Sequence, residues 1–144
     1  MSKKVVDACV FVKIFIKEED SGQAKALLKN FLYEEHDILV PRLFLFEVIE
    51  QLVQHKIDQS NSLKVLDLYD TVLIYKELDH QLVSKAWQLV EQCSSEKSGR
   101  PSFYDAVYHA LAIMQNCDFI TADKKHYAKT KDLGHIILLE DYPI

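Results

Sequence analysis

The sequence predicts an α/β fold, a three-layer α/β/α sandwich around a central parallel sheet. Three observations carry that expectation. Short apolar runs alternate along the chain with stretches of helical periodicity. The apolar runs lack polar alternation, as strands covered on both faces do. The chain has 144 residues, a length that suits one compact domain over 1–144 with a single core.

The elements follow in order. Val5 and Val6 open a short strand that ends at Asp7. Residues 21–33 have helical periodicity, with Ala24, Leu27, Leu28, Phe31 and Leu32 on one side. Residues 37–41 read as a short buried strand stopped by Pro41. Helical patterns cover 43–55 and 60–69, and 72–75 reads as a further strand. Residues 79–93 are helical, with Trp87 grouped with Leu82, Val83, Ala86 and Val90 as core or dimer contact. The stretch 94–101 is loop-like, a connection inside the domain. A helix over 102–115, a strand over 118–121, a short helix over 124–129 and a last strand over 135–140 complete the chain.

Composition narrows the function classes. The formal net charge is −5, so the overall field does not attract nucleic acid, although an acidic pocket with a basic rim is compatible with it. Cys9, Cys93 and Cys117 form no CxxC pair and show no zinc-ligand spacing, which suits free thiols in a reducing compartment. Asp7 and Lys13 interrupt any hydrophobic leader, and no run approaches the length of a membrane span, so a cytoplasmic protein with no membrane partner is expected.

The acids carry the chemistry. A parallel sheet places all strand C-terminal ends on one edge. Asp7 closes the first strand, Glu47 lies about one turn into the helix after the second, and Asp105 falls in the first turn of its helix. Asp123 follows the strand that rises after that helix, so all four acids reach one edge. Clustered carboxylates raise one another's pKa, and a divalent cation resolves the conflict. Oxygen ligands without cysteine or histidine suit Mg²⁺ or Mn²⁺, whose natural chemistry is phosphodiester hydrolysis. Each acid also has an ordinary structural role open to it. Asp105 is the N3 residue after a Ser102 cap, Asp123 and Asp7 could cap helices, and Glu47 shares a helical stripe with Glu50, Gln51 and Gln54. Taken together those roles persuade less, because three strand or helix ends would each need an acid for unrelated reasons.

At these same residues the chain resembles the PIN-domain family, especially the VapC-type toxins. The resemblance rests on four ordered stretches: Val5-Val-Asp-Ala-Cys-Val-Phe, Leu39-Val-Pro-Arg-Leu-Phe-Leu-Phe-Glu, Ser102-Phe-Tyr-Asp-Ala-Val-Tyr-His-Ala and Phe119-Ile-Thr-Ala-Asp. It implies a ribonuclease acting on single-stranded RNA with one or two Mg²⁺ or Mn²⁺ ions, held by Asp7, Glu47, Asp105 and Asp123. It implies that Thr121 helps fix the loop before Asp123, that the protein forms a homodimer, and that a toxin of this kind has a small antitoxin partner. Two departures stand out. Cys9 occupies a place where the family often has serine or threonine, and a thiol is the poorer hydrogen-bond partner. Glu50 stands where a small or amide residue is common, and reads as a surface residue.

Lys13, Arg42, Arg100, Lys124 and Lys125 are candidates for RNA phosphate contact, each with an ordinary solvated charge as the plainer reading. His109 shares a helical face with Asp105 and reads as a surface histidine sooner than as a general acid or base. The main alternative function is a catalytically silent PIN-like module that binds RNA or protein. A receiver-type phosphotransfer domain would need a mid-chain acceptor aspartate and a strand-ending lysine, and no clean pair occurs. An Asp-x-Asp phosphatase is disfavoured because Asp7 is followed by Ala8 and Cys9.

Overall fold

The computed structural model describes residues 2–143. It contains a five-stranded sheet in the order β3-β2-β1-β4-β5, with every neighbouring pair parallel. The strands are β1 (Lys3–Val6), β2 (Asp37–Pro41), β3 (Leu73–Lys76), β4 (Asp118–Thr121) and β5 (Ile136–Leu138). The helices are α1 (Ala8–Phe11), α2 (Ser21–Tyr33), α3 (Leu43–Gln54), α4 (Gln59–Tyr69), α5 (His80–Gln92), α6 (Phe103–Met114) and α7 (Lys124–Thr130). The expected α/β/α architecture is the one observed. Among the described residues, no helix is long and apolar enough to cross a membrane.

The strand order has one consequence for function. The chain builds outward from β1 through β2 to β3, then returns to lay β4 and β5 on the other side of β1. The direction reverses between β1 and β4, and ligands of open parallel sheets bind outside the carboxyl ends of the strands at such a point. Asp7 directly follows β1, and Asp123 follows β4 by one residue.

Side-chain oxygens start the helices where caps are expected. Ser102 accepts from the Asp105 N–H at 3.0 Å at α6, Asp79 accepts from Leu82 at 2.8 Å at α5, and Asp58 accepts from Asn61 at 2.9 Å at α4. Seven consecutive residues of α6, from Ala106 to Ala112, are buried. This helix packs on β1, β2 and β4 and is covered by α5, so its middle, from Ala106 to Ala112, is a core element while its ends reach solvent.

Three expectations change. The sequence reading places no element between Asp7 and Ser21, whereas the structure has α1 and a 3-10 turn over Val12–Ile14 there, begun by the Asp7 cap. The last strand stops at Leu138 and continues as a 3-10 turn over Leu139–Asp141. Trp87 is not core: it is 61% exposed, because the buried stripe of α5 runs through Leu82, Ala86 and Leu89 instead.

Candidate functional site

Asp7 is the best-anchored of the four acids. Its backbone N–H donates to Ile120 at 3.0 Å, which holds the end of β1 against β4. Its side chain is buried, with Oδ2 accepting from the Thr121 hydroxyl at 2.7 Å and Oδ1 accepting from the Cys9 N–H at 3.4 Å. Burial pushes the Asp7 carboxyl up from its ordinary range, against the pull of those donors.

Thr121 is wholly buried and serves both neighbours. While donating to Asp7, its hydroxyl accepts from the Asp123 N–H at 3.0 Å. Asp123 in turn accepts from the His126 N–H at 3.0 Å and caps α7. Asp105 sits in the first turn of α6. Burial, then the charges of Asp7 and Asp123, push its carboxyl up to about 7. Glu47, half-buried on α3, accepts from the Tyr108 hydroxyl at 2.7 Å. Burial and the Asp7 charge raise its carboxyl, and the Tyr108 hydroxyl opposes them.

Asp7, Glu47, Asp105 and Asp123, contributed by four separate segments, line one cavity of about 1100 Å³. Glu50 lines it too, though it is exposed as expected for a surface residue. The capping roles of Ser102, Asp123 and Asp7 hold as well, so local hydrogen bonds that start helices also help to place Asp7 and Asp123, while Glu47 has no local bond of that kind.

The cations stand differently from the acids. Lys13 lines the cavity but is buried and paired, 2.8 Å from Asp20 and 3.5 Å from Glu18. Arg42 pairs with Glu77 at 2.6 Å and Lys124 with Glu140 at 3.4 Å, and neither lines the cavity. Arg100 donates to the Pro101 carbonyl at 3.1 Å, away from the acids' cavity. Lys17, which the sequence reading does not single out, is exposed and lines the wall beside Lys13.

His109 corrects a further expectation: it is fully buried, because α6 has no solvent face at that position. Its Nε2 lies 2.9 Å from the Gly134 carbonyl, which can only accept, so Nε2 carries the proton. Its Nδ1 therefore accepts from His126 Nε2 at 3.3 Å, which leaves the buried His126 Nδ1 unprotonated and without a partner. Burial lowers the pKa of both rings, that of His126 to about 4. The pair is a neutral core contact.

The donor set of the cavity fits a hard divalent cation. It offers carboxylate oxygens, one of them on a group whose charge its neighbours resist. Among the described residues, no three histidine, cysteine or acidic side chains stand close enough together to hold a metal ion as they are placed, so the fit rests on the chemistry of the donors and not on a formed cage. Cys9 adds no charge, since burial and the Asp7 carboxylate push its thiol well up; its sulfur lies 3.9 Å from Thr121 Oγ1.

A family model described as the PIN domain matches residues 4–132. The chain belongs to the PIN-domain family. No curated protein sequence matches this PIN-domain chain. Several solved structures share its fold. VapBC2 from Rickettsia felis, bound to a DNA fragment from its promoter, has a TM-score of 0.68 at 16% identity, over 94% of this chain and 96% of that one. PAE2754 from Pyrobaculum aerophilum has a TM-score of 0.68 at 17% identity, over 96% and 85%. VapC20 from Mycobacterium tuberculosis, described as a Sarcin-Ricin loop cleaving toxin, has a TM-score of 0.59 at 16% identity, over 78% and 83%.

Proposed function

We propose that this PIN-domain chain is a divalent-metal-dependent endoribonuclease, one hydrolase domain over residues 1–144, and the toxin of a toxin-antitoxin pair. The observation that carries the reading is the convergence of Asp7, Glu47, Asp105 and Asp123 on one cavity at the topological reversal of the sheet. Family membership and structural neighbours that include a toxin and a VapBC complex support it.

One or two Mg²⁺ or Mn²⁺ ions, when bound, would neutralise phosphate charge and make water a better nucleophile. Asp7, Asp105 and Asp123 would hold them, with Glu47 completing the oxygen set. Thr121 orients Asp7 through its hydroxyl and fixes the backbone before Asp123. Lys17, at the cavity wall, would meet a substrate phosphate. The cavity would keep a substrate phosphodiester beside the acids that line it.

Purified protein should cleave single-stranded RNA with Mg²⁺ or Mn²⁺ and stop with a chelator. Asp7→Asn, Asp105→Asn and Asp123→Asn should each remove most activity. Undiminished cleavage in EDTA, or by all three variants, rejects the mechanism. Cys9 favours a second reading, a catalytically silent binding module, since it replaces a hydroxyl near Asp7. Against that reading, Asp7 still receives a hydroxyl donor from Thr121.

Two partners belong to the proposal. A symmetric homodimer would cover the exposed Leu45, Phe46 and Val53 on α3, and sedimentation at tens of micromolar should give twice the chain mass. A small antitoxin would silence the site most simply with an arginine placed among the carboxylates. Growth arrest relieved by co-expressing the neighbouring gene supports the toxin reading, and harmless expression of an RNA-cleaving protein counts against it.

A further inference from the structure

We propose that Tyr108 is a positioning residue for Glu47, holding one carboxylate oxygen so that the other remains available to the cation; this rests on the metal-centre reading above. The other three acids need no such help. Asp7 and Asp123 are short side chains locked by backbone N–H groups, and Asp105 is a short side chain in the first turn of a buried helix. Glu47 differs in length and in setting. Its carboxylate ends a three-bond side chain on α3, between residues that face solvent: Phe46 is 77% exposed, and Glu50 is exposed as well. An unrestrained glutamate there would gain rotamer freedom and hydration by swinging outward. Among the described residues, its carboxylate accepts a hydrogen bond from Tyr108 alone.

Tyr108 is suited to that task. Its side chain is fully buried, and its ring stacks on Phe119 with centroids 5.6 Å apart and planes 14° from parallel. The hydroxyl position is therefore set by the core and not by the cavity. Tyr108 lies three residues after Asp105, so both project from one face of α6. A single core helix thereby presents Asp105 directly and restrains Glu47, 61 residues away in the chain, through Tyr108. The competing explanation is that a buried phenol has taken the nearest acceptor for its own satisfaction. In that case Glu47 would bind the cation equally well without it.

A double-mutant cycle separates the two. Mn²⁺ binding is measured by loss of the free-ion EPR signal for wild type, Tyr108→Phe, Glu47→Gln and the double variant, with Asp7→Asn as the control for the site. Tyr108→Phe keeps the ring and its stacking, and should weaken Mn²⁺ binding about 10-fold, as loss of a hydrogen bond to a charged group does. The double variant should bind no more weakly than Glu47→Gln alone. Glu47→Asp, which shortens the side chain out of reach of the intact hydroxyl, should show a similar loss. Unchanged affinity in Tyr108→Phe, or a Tyr108→Phe loss that multiplies in full with that of Glu47→Gln, overturns the assignment. If wild type binds Mn²⁺ no better than Asp7→Asn, the metal centre itself falls and the assignment with it.

Discussion

Asp105→Asn should stabilise the metal-free protein, and the size of the gain should depend on pH. In the folded chain, burial and the charges of Asp7 and Asp123 lift the Asp105 carboxyl from 3.8 to about 7. At about 1.36 kcal/mol per pH unit, that displacement has a ceiling of about 4 kcal/mol. Asp105 is partly exposed, and solvent screening reduces the ceiling to roughly 2 kcal/mol. The sign follows from proton counts. Between pH 3.8 and about 7 the folded state binds more protons than the unfolded state, so stability falls as pH rises through that window. The full penalty applies above it. Asparagine keeps the volume and one acceptor oxygen while removing the charge. Its melting temperature in EDTA should exceed that of wild type by roughly 4–8 °C at pH 8. The gain should shrink by more than half at pH 5. Added Mn²⁺ should raise wild type more than the variant, because it acts by mass action on the native site. Thermal unfolding followed by circular dichroism suffices. A variant that melts at or below wild type at pH 8, or gains equally at both pH values, refutes the repulsion argument and leaves Asp105 as a helix-start residue alone.

Three further outcomes are expected. Thr121→Val removes a buried hydroxyl that donates to Asp7 and accepts from the Asp123 N–H, so it should cost on the order of 2 kcal/mol in urea unfolding; no change would mean that neither bond stabilises the fold. His126, buried and neutral in the folded chain with a pKa lowered to about 4, contributes stability present above its unfolded pKa of about 6.5 and lost as pH falls toward 4. That loss is best read against the Asp105→Asn background, where one of the opposing carboxyl slopes is removed while those of Asp7 and Glu47 remain; a His126 ring proton that titrates by NMR near pH 6.5 would contradict it. Lys13→Gln should lower stability by about 1 kcal/mol through its pairs with Asp20 and Glu18, leaving KM for RNA nearly unchanged, whereas a KM effect without destabilisation would restore an RNA contact.

The acids were legible because their placement is a matter of local counting. Asp7 ends a strand, Glu47 and Asp105 fall in early helical turns, and Asp123 follows a strand; parallel topology does the rest. Caps were legible for the same reason, since Ser102 and Asp105 are three residues apart. The cations were not. Pro41 pairs with Lys76 across β2 and β3, so Arg42 and Glu77 emerge side by side, a consequence of strand register that no local pattern carries. His109 shares a helical face with Asp105, yet His126 of α7, the Gly134 carbonyl and Phe119 of β4 close over it. Of the two readings of Trp87, core or dimer contact, the core reading fails in the opposite direction, because an apolar residue on a helix does not reveal which stripe meets the sheet.

By itself the sequence determined the alternation of strands and helices, the family, and the edge on which four carboxylates would gather. Periodicity and cap chemistry are properties of neighbours in the chain. Only the tertiary structure decided how the carboxylates are held. The hydroxyl on Asp7 comes from Thr121, 114 residues away, and the one on Glu47 comes from Tyr108, 61 residues away. Hydrogen bonds act over about 3 Å. Which groups come that close is settled by packing, after the chain has brought distant segments together.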